Sequence, residues 1–271
     1  MAAPQCAERC HAWESFSASG WAWLLSRQPQ FADKCDKWPV FDGDDWVMLL
    51  SEQPQFADKC DKWERFDDID IARLASEQEA FVPRLLQQKK LSPWAAAIVL
   101  AKRPSVKVDT KLLSGEVDDE AYEQVMEDVY PFKTPWAYLL SRQPQFVGKF
   151  EEWKTLSGAD WLGLLSKQPG LSSHCDWKKV EEEWEADWCS CFVTESGELI
   201  ALIRAKTGID IMEGIDFDTF VKSPTLVKDF DLWREHLGEW GMSQAEAWSE
   251  VLARYPDLVT RFEADDIEED D

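Results

Sequence analysis

The feature that most constrains this chain is a thirteen-residue phrase that occurs twice. "SRQPQFADKCDKW" at residues 26–38 returns with a single change as "SEQPQFADKCDKW" at residues 51–63. The same spacing of 25 residues brings "PQCAERCHAW" at 4–13 into register, and aromatic or apolar residues keep it at positions 16, 41, 66 and 91. Self-similarity at a fixed period of this length is typical of stacked-repeat proteins.

The unit returns further along the chain with looser spacing. It is clear as "WAYLLSRQPQFVGKFEEW" at 136–153 and as "WLGLLSKQPGLSSHCDW" at 161–177. A fainter copy runs from Trp248 to Phe262, and a half-unit runs from Phe220 to Trp233. Repeats therefore account for most of the chain.

Each unit predicts two short helices. Trp46, Leu49 and Leu50 are spaced i, i+3 and i+4, and Phe56, Cys60 and Trp63 are spaced i, i+4 and i+7. Both spacings place apolar side chains on one helical face. Proline is tolerated at the start of a helix but not in its middle, so the Gln-Pro step separates the two. Helices this short need neighbouring units to be stable.

The sequence predicts an all-α fold, a solenoid of two-helix repeats of about 25 residues, with a possible small non-repeat element near 185–210. The "SGELIALIRAKTG" stretch within 179–214 favours a helix over a β-hairpin. An acidic amphipathic helix is expected within 114–130. The predicted organisation is in-register repeats at 1–108, an acidic helical connector at 109–133, two further repeats at 134–178, a divergent segment at 179–214, degenerate repeats at 215–264 and an acidic tail at 265–271.

The unit "LLxxQPQFADKCDxW" resembles tandem repeats of uncharacterised bacterial proteins. This resemblance covers most of the chain and implies a helical-repeat protein, with no activity attached. A short helix pair that turns at a proline is also similar, at the level of fold, to the leucine-rich-repeat variant solenoids.

The charge balance restricts the classes of partner. Fifty-three acids against 29 bases leave a net charge of −24, which repels phosphate backbones and anionic lipids and attracts basic proteins. Direct binding of nucleic acid or membrane is therefore not expected. Because no run of residues is apolar enough to span a bilayer and the start lacks a signal-peptide pattern, we expect a cytoplasmic protein.

The cysteines offer two candidate metal or redox sites, and both have a competing structural interpretation. Cys6, Cys10 and His11 have ligand-like spacing, but the two cysteines occupy core positions of the repeat. Cys189 and Cys191 lie outside the register, and packing is favoured over a redox or metal role. We expect no metal and no cofactor.

No nucleophile, metalloprotease, phosphate-loop or dinucleotide-binding motif is present, so an enzyme is not favoured. The alternatives left open are a scaffolding repeat protein whose acidity serves solubility, and an enzyme or metal protein that uses 179–214.

The hypothesis favoured by the sequence is a non-enzymatic acidic protein that binds a basic protein partner. A finer form is an inhibitor that mimics nucleic acid in the partner's basic groove. Ten tryptophans fall in register and are expected in the core, while Trp23, Trp94, Trp184, Trp188 and Trp240 lie outside it and are candidate exposed anchors. The predicted partner-binding residues are Asp42, Asp44, Asp45, Asp67, Asp68, Asp70, Trp184, Trp188 and Trp240. The sequence predicts no oligomeric state.

Overall fold

The computed structural model describes residues 13–61, 63–87, 91–117, 119–184, 196–213, 215–228 and 236–261. These residues form α-helices and 3₁₀-helices, and none of them lies in a β-strand. The predicted all-α class is therefore confirmed for the described part of the chain. No helix within those ranges has both the length and the apolar character that a membrane crossing requires.

The chain divides into two compact units, residues 1–128 and 129–271. The boundary falls inside the predicted connector, 109–133. The α-helices of the first unit are α1 (Ala18–Arg27), α2 (Gly43–Glu52), α3 (Asp68–Glu77), α4 (Val82–Leu86), α5 (Pro93–Lys102) and α6 (Asp119–Val129), whose last residue lies just past the boundary. Those of the second unit are α7 (Pro135–Arg142), α8 (Gly158–Lys167), α9 (Trp177–Glu182), α10 (Gly197–Thr207), α11 (Phe217–Lys222) and α12 (Gln244–Arg254).

The period of the sequence is the period of the first unit's helices. The helices α1, α2, α3 and α5 each have ten residues, and they begin at positions 18, 43, 68 and 93. A side-chain oxygen caps each amino terminus, from Ser17, Asp42, Asp67 and Ser92 respectively. Such caps satisfy backbone N–H groups that have no partner within the helix. The cap at the same point of every period sets where each helix begins.

The second half of three repeats differs from the prediction. Where one short α-helix is expected across Phe56, Cys60 and Trp63, the structure has a 3₁₀-helix (Pro54–Lys59), an extended Cys60 and a second 3₁₀ turn at Trp63–Arg65. The equivalent stretches Pro29–Lys34 and Pro144–Lys149 repeat this conformation. A 3₁₀-helix rises about 2.0 Å per residue against about 1.5 Å in an α-helix, so its six residues span about 12 Å where six α-helical residues would span about 9 Å. The chain thereby returns to the next helix start within 25 residues.

The tryptophans of the repeat form aromatic clusters in the core. Trp38 stacks on Trp46 of the following helix at 5.8 Å and contacts Phe56 at 5.5 Å. Trp153 stacks on Trp161 at 5.7 Å in the same way. The in-register tryptophans of the capped repeat helices are buried, at Trp21, Trp46, Trp136, Trp161 and Trp248, whereas Trp13, Trp38 and Trp153 between the helices are half-buried. The predicted core role is therefore confirmed for the first of these two sets.

The residue that follows a repeat helix has a structural task in three places. Gln53 Nε2 donates to the carbonyl of Ser26 at 2.7 Å, and Gln78 Nε2 donates to that of Ser51 at 2.5 Å. Arg103, which follows α5 at the same point, donates from Nε to the carbonyl of Ala75 at 2.7 Å. Because the last carbonyls of a helix lack partners within it, these side chains bond each helix end to the next unit.

Two predictions outside the regular repeats are confirmed. The acidic stretch within 114–130 forms α6, with Val125 and Val129 buried. The stretch "SGELIALIRAKTG" forms α10, which is capped by Ser196 and ends at the left-handed Gly208. The helix interpretation is therefore right, and the hairpin is wrong for these residues. The remainder of the predicted non-repeat element, 185–195, and the acidic tail 265–271 lie outside the described residues.

Candidate acidic partner-binding surface

The acids in the first turns of α2 and α3 form capping boxes. The Asp42 side chain accepts from the backbone N–H of Asp45 at 3.0 Å, and Asp45 accepts in return from the N–H of Asp42. Asp67 and Asp70 make the same reciprocal pair, with the Asp67 side chain accepting at 2.8 Å. Since each box needs a hydrogen-bond-accepting side chain at both positions, folding accounts for these four residues.

Two of the predicted partner-binding acids lie inside the molecule. Asp45 is 3% exposed and Asp70 is 6% exposed. Burial is the largest influence on both carboxyls, and it raises the pKa of Asp45 above its usual value and that of Asp70 to about 6. These two side chains do not form part of an accessible surface.

The buried acids also contact the preceding helix. The side chain of Ser19, in the first turn of α1, lowers the pKa of Asp45 and so opposes the larger effect of burial. The Asp70 carboxylate lies against Gly43 at the start of α2, where an added Cβ would overlap it. Asp160 is fully buried and accepts from the N–H groups of Lys133 and Thr134 at 2.7 and 3.1 Å, just before α7. The third residue of each of these helices therefore contacts the repeat helix that precedes it in the chain, or the residues just before that helix.

The other predicted acids reach the surface. Asp42, Asp44 and Asp67 are exposed, and Asp68 is half-buried. Asp68 accepts a hydrogen bond from the backbone N–H of Ser92 at 2.9 Å, so it also helps to hold the start of α5 in place. Asp44 is 81% exposed and lies 3.8 Å from Arg73, whose guanidinium also pairs with Asp128 at 3.0 Å. Of the predicted acids, Asp44 is therefore the most accessible one without a capping role.

Two further acids, Glu52 and Glu77, were missed by the sequence analysis. They are exposed and are the last residues of α2 and α3. The corresponding last residue is basic in the other repeat helices, at Arg27, Lys102, Arg142, Lys167 and Arg254. The signal was present in the quoted phrase, because Arg27 and Glu52 are its single difference.

The placement of Glu52 and Glu77 does not assist folding. The carboxyl end of a helix carries partial negative charge, so a base there is stabilising and an acid is not. Neither side chain makes an ion pair with any residue that the structure describes. The fold therefore supplies no reason for an acid at these two exposed positions.

The tryptophans predicted as exposed anchors differ in how exposed they are. Trp184 is half-buried. Trp240 is half-buried too, and its Nε1 donates to the carbonyl of Ile215 at 2.7 Å while its ring stacks on Phe220. Trp188 lies outside the described residues. Trp94 is fully buried, whereas Trp23 is 55% exposed. Trp23 is therefore the most accessible of the four described tryptophans that fall outside the register.

The described cysteines have the environment of packing residues. Cys60 is buried, and burial raises the pKa of the Cys35 thiol and raises that of Cys175 to about 12. A thiol with a raised pKa is a poor nucleophile and a poor metal ligand at neutral pH. The candidate clusters at Cys6, Cys10 and His11 and at Cys189 and Cys191 lie outside the described residues.

Exposed acids thus lie near both ends of α2, at Asp44 and Glu52, with the exposed Met48 between them, while α3 ends on the exposed Glu77 and α1 carries the exposed Trp23. Such an arrangement can attract a positively charged surface and hold it through apolar contact. A scan against protein-family models, a search of curated proteins and a search of solved structures each return no match for this chain.

Proposed function

We propose that this protein binds a basic protein partner through the exposed acids of α2 and α3. The observation that carries the proposal is the pair Glu52 and Glu77, which occupy helix ends where an acid opposes the helix dipole. An exposed charge in such a position costs about 0.3–1 kcal/mol relative to a favourable one. Binding of a partner by these two acids would explain why the chain tolerates that cost in stability.

The proposal includes a stacked-repeat architecture within the first unit. The repeating helix starts, the capping boxes and the Gln53 and Gln78 hydrogen bonds support it. Packed helices lie about 8–10 Å apart, so equivalent acids on successive helices recur at that interval. A stack of this kind holds the acids in fixed positions before a partner arrives, which lowers the entropy cost of binding.

In its finer form, the proposal is that the partner's basic groove normally holds DNA or RNA and that this chain inhibits it by occupying that groove. The net charge of −24 supports this specialisation, because nucleic-acid sites are strongly positive and their contacts respond to salt. Exposed carboxylates would occupy the positions of phosphates. Added DNA and this protein should then compete for the same partner.

The test is capture of lysate proteins on the immobilised full chain at low and at high salt, with and without DNA. The informative variant reverses two charges, Glu52→Arg with Glu77→Arg. A matched control reverses Asp58 and Asp61 to Arg, which changes the net charge equally at two exposed residues outside α2 and α3.

We expect basic proteins that are recovered at low salt, lost at high salt and displaced by DNA. The α2–α3 reversal should abolish their recovery, while the control reversal reduces it only slightly. Recovery of the same proteins by both variants would contradict the assignment to this surface. Recovery unaffected by salt would contradict the electrostatic mechanism altogether.

A further inference from the structure

The exposed face of α1 and α2 carries two large apolar side chains at the same position of the repeat. Trp23 is 55% exposed and Met48 is 41% exposed, and they are 25 residues apart. The two helices pack directly against each other. Equivalent residues on adjacent repeat helices lie on the same side of the stack, so Trp23 and Met48 form one apolar strip.

The equivalent position on α3 holds a charged residue, Arg73, which already forms an ion pair with Asp128. Arg73 of α3 donates to Asp128 from Nη2 at 3.0 Å and from Nε at 3.1 Å, and it lies 3.8 Å from Asp44. Its Nη2 also donates to the carbonyl of Gln124 at 3.3 Å. The apolar strip therefore runs across α1 and α2 and ends at a neutralised arginine on α3.

Acids flank the strip on α2. Asp44 and Glu52 lie four residues before and four residues after Met48, which places them about 6 Å to either side of it along the helix. Both are exposed, and α2 contains no basic residue. On α1 the strip is bordered by Arg27, whose guanidinium lies 5.4 Å from the Trp23 ring centre. An occupant therefore meets apolar surface in the middle and, on α2, negative charge on both sides.

We infer that the occupant of this face is a basic amphipathic helix of the partner protein. Its apolar stripe would lie across α1 and α2 on Trp23 and Met48, and lysine or arginine side chains on both borders of that stripe would meet Asp44 and Glu52. Helix-in-groove binding of this kind uses apolar anchors at i, i+3, i+4 and i+7. This inference rests on the proposed function and specifies the partner's structural class.

The test uses two synthetic peptides of the same lysine and leucine composition. In the first, leucines recur at i, i+3, i+4 and i+7, and in the second the order is shuffled so that they share no face. Their dissociation constants for the full chain are measured at low salt by fluorescence anisotropy of labelled peptide. The variants are Trp23→Ser with Met48→Ser, the charge reversal at Glu52 and Glu77, and a control that changes the exposed Val40 and Val259 to Ser.

We expect the patterned peptide to bind the unaltered chain about tenfold more tightly than the shuffled one, the size of effect typical of an interface anchor. The Trp23 and Met48 changes should remove that preference, and the Val40 and Val259 changes should preserve it. Circular dichroism of each variant checks that the helices are intact.

The two proposals fail in different ways. Equal binding of both peptides, or an unchanged preference after loss of Trp23 and Met48, overturns the amphipathic-helix assignment even when acidic attraction is real. Binding of both peptides that does not weaken on reversal of Glu52 and Glu77 overturns the proposed function. Absence of binding to either peptide overturns both.

Discussion

At the scale of the residue, the acids of this chain divide into those that hold the fold and those that face solvent. Asp45, Asp70 and Asp160 are buried at the third position of their helices, where they serve their own amino terminus and contact the preceding unit. Glu52, Glu77 and Asp44 are exposed. The net charge alone does not distinguish these two groups, because a carboxylate contributes equally to it in either place.

Asp70→Asn should change how stability depends on pH. Burial holds the pKa of Asp70 at about 6, above its unfolded value near 4, so the folded state binds the proton more tightly. The contribution of Asp70 to the free energy of unfolding of the unaltered protein therefore falls as the pH rises from about 4 to about 6. It remains low above that range. Urea denaturation at several pH values measures it.

In the same experiment, the stability difference between the unaltered protein and Asp70→Asn should shrink or reverse as the pH rises through that window. Asp58→Asn, on an exposed side chain, corrects for the change in net charge. A difference that does not vary with pH would show that Asp70 is not desolvated in the folded state.

Cys175 should be protected from alkylation in the native protein. Burial, with a smaller contribution from Asp176, raises the pKa of its thiol to about 12, and the thiolate is the reactive form. Iodoacetamide at pH 8 followed by peptide mass spectrometry should show little modification of Cys175 in the native chain and full modification in guanidinium. Rapid labelling without denaturant would contradict a packing role.

At the scale of the element, local sequence signals predict the first α-helix of each repeat. They do not predict the 3₁₀ conformation of the residues that follow it in three repeats. Caps, prolines and one-sided apolar spacing mark helices such as α2 and α10 in the sequence, and the structure has them there. The spacing of Phe56, Cys60 and Trp63 also fits an α-helix, yet Phe56 and Trp63 lie in two different 3₁₀ segments and Cys60 is extended. Apolar spacing alone therefore does not distinguish the two conformations.

Gly43→Ala should destabilise the protein although alanine is the better helix former. The new Cβ would overlap the Asp70 carboxylate. We expect a loss of about 1–3 kcal/mol in the free energy of unfolding, as for other overpacked sites, measured by chemical denaturation. Gly148→Ala is the matched control, because nothing lies within 4 Å of its added Cβ.

The cost of Gly43→Ala should largely disappear in a chain that also carries Asp70→Ala, since the overlapping carboxylate is then absent. A cost that is the same in both backgrounds would mean that α2 and α3 do not make this contact.

At the scale of the whole molecule, the negative charge is unevenly distributed. Acids exceed bases by nine in residues 1–128 and by 15 in residues 129–271. Residues 129–150 contain no acid and three bases, Lys133, Arg142 and Lys149. The smaller excess belongs to the unit that contains α2 and α3, so attraction of a partner to those helices depends on where their exposed acids lie and not on the net charge of the unit.

Removal of one whole period should leave a folded chain. Deletion of residues 43–67 joins Asp42 to α3, so that one aspartate cap replaces another and Gln78 comes into the position from which Gln53 bonds to Ser26. We expect retained helical circular dichroism and a cooperative but lower melting temperature, because stability in a repeat array depends on the number of interfaces.

Deletion of residues 43–55 is the control, since it removes a similar kind of sequence but breaks the period. It should abolish cooperative melting. Equal behaviour of the two deletions would contradict a stacked-repeat architecture in the first unit.

The sequence by itself determined the period, the all-α class and the first helix of most units. These depend on hydrogen bonds between residues close in the chain and on which side chains share a helical face. The candidate site was only partly predictable. Asp42, Asp44 and Asp67 were found and are exposed, whereas Glu52, Glu77 and Met48 were not singled out.

Only the tertiary structure decided which residues reach solvent among those of the same type with similar sequence surroundings. Trp94 and Trp23 both lie outside the register, yet one is fully buried and the other is more than half exposed. Asp44 and Asp45 are adjacent in sequence, and one faces solvent while the other contacts Ser19 of the preceding helix. Exposure depends on which neighbouring element covers a side chain, and those contacts join residues about 25 positions apart that no local pattern relates.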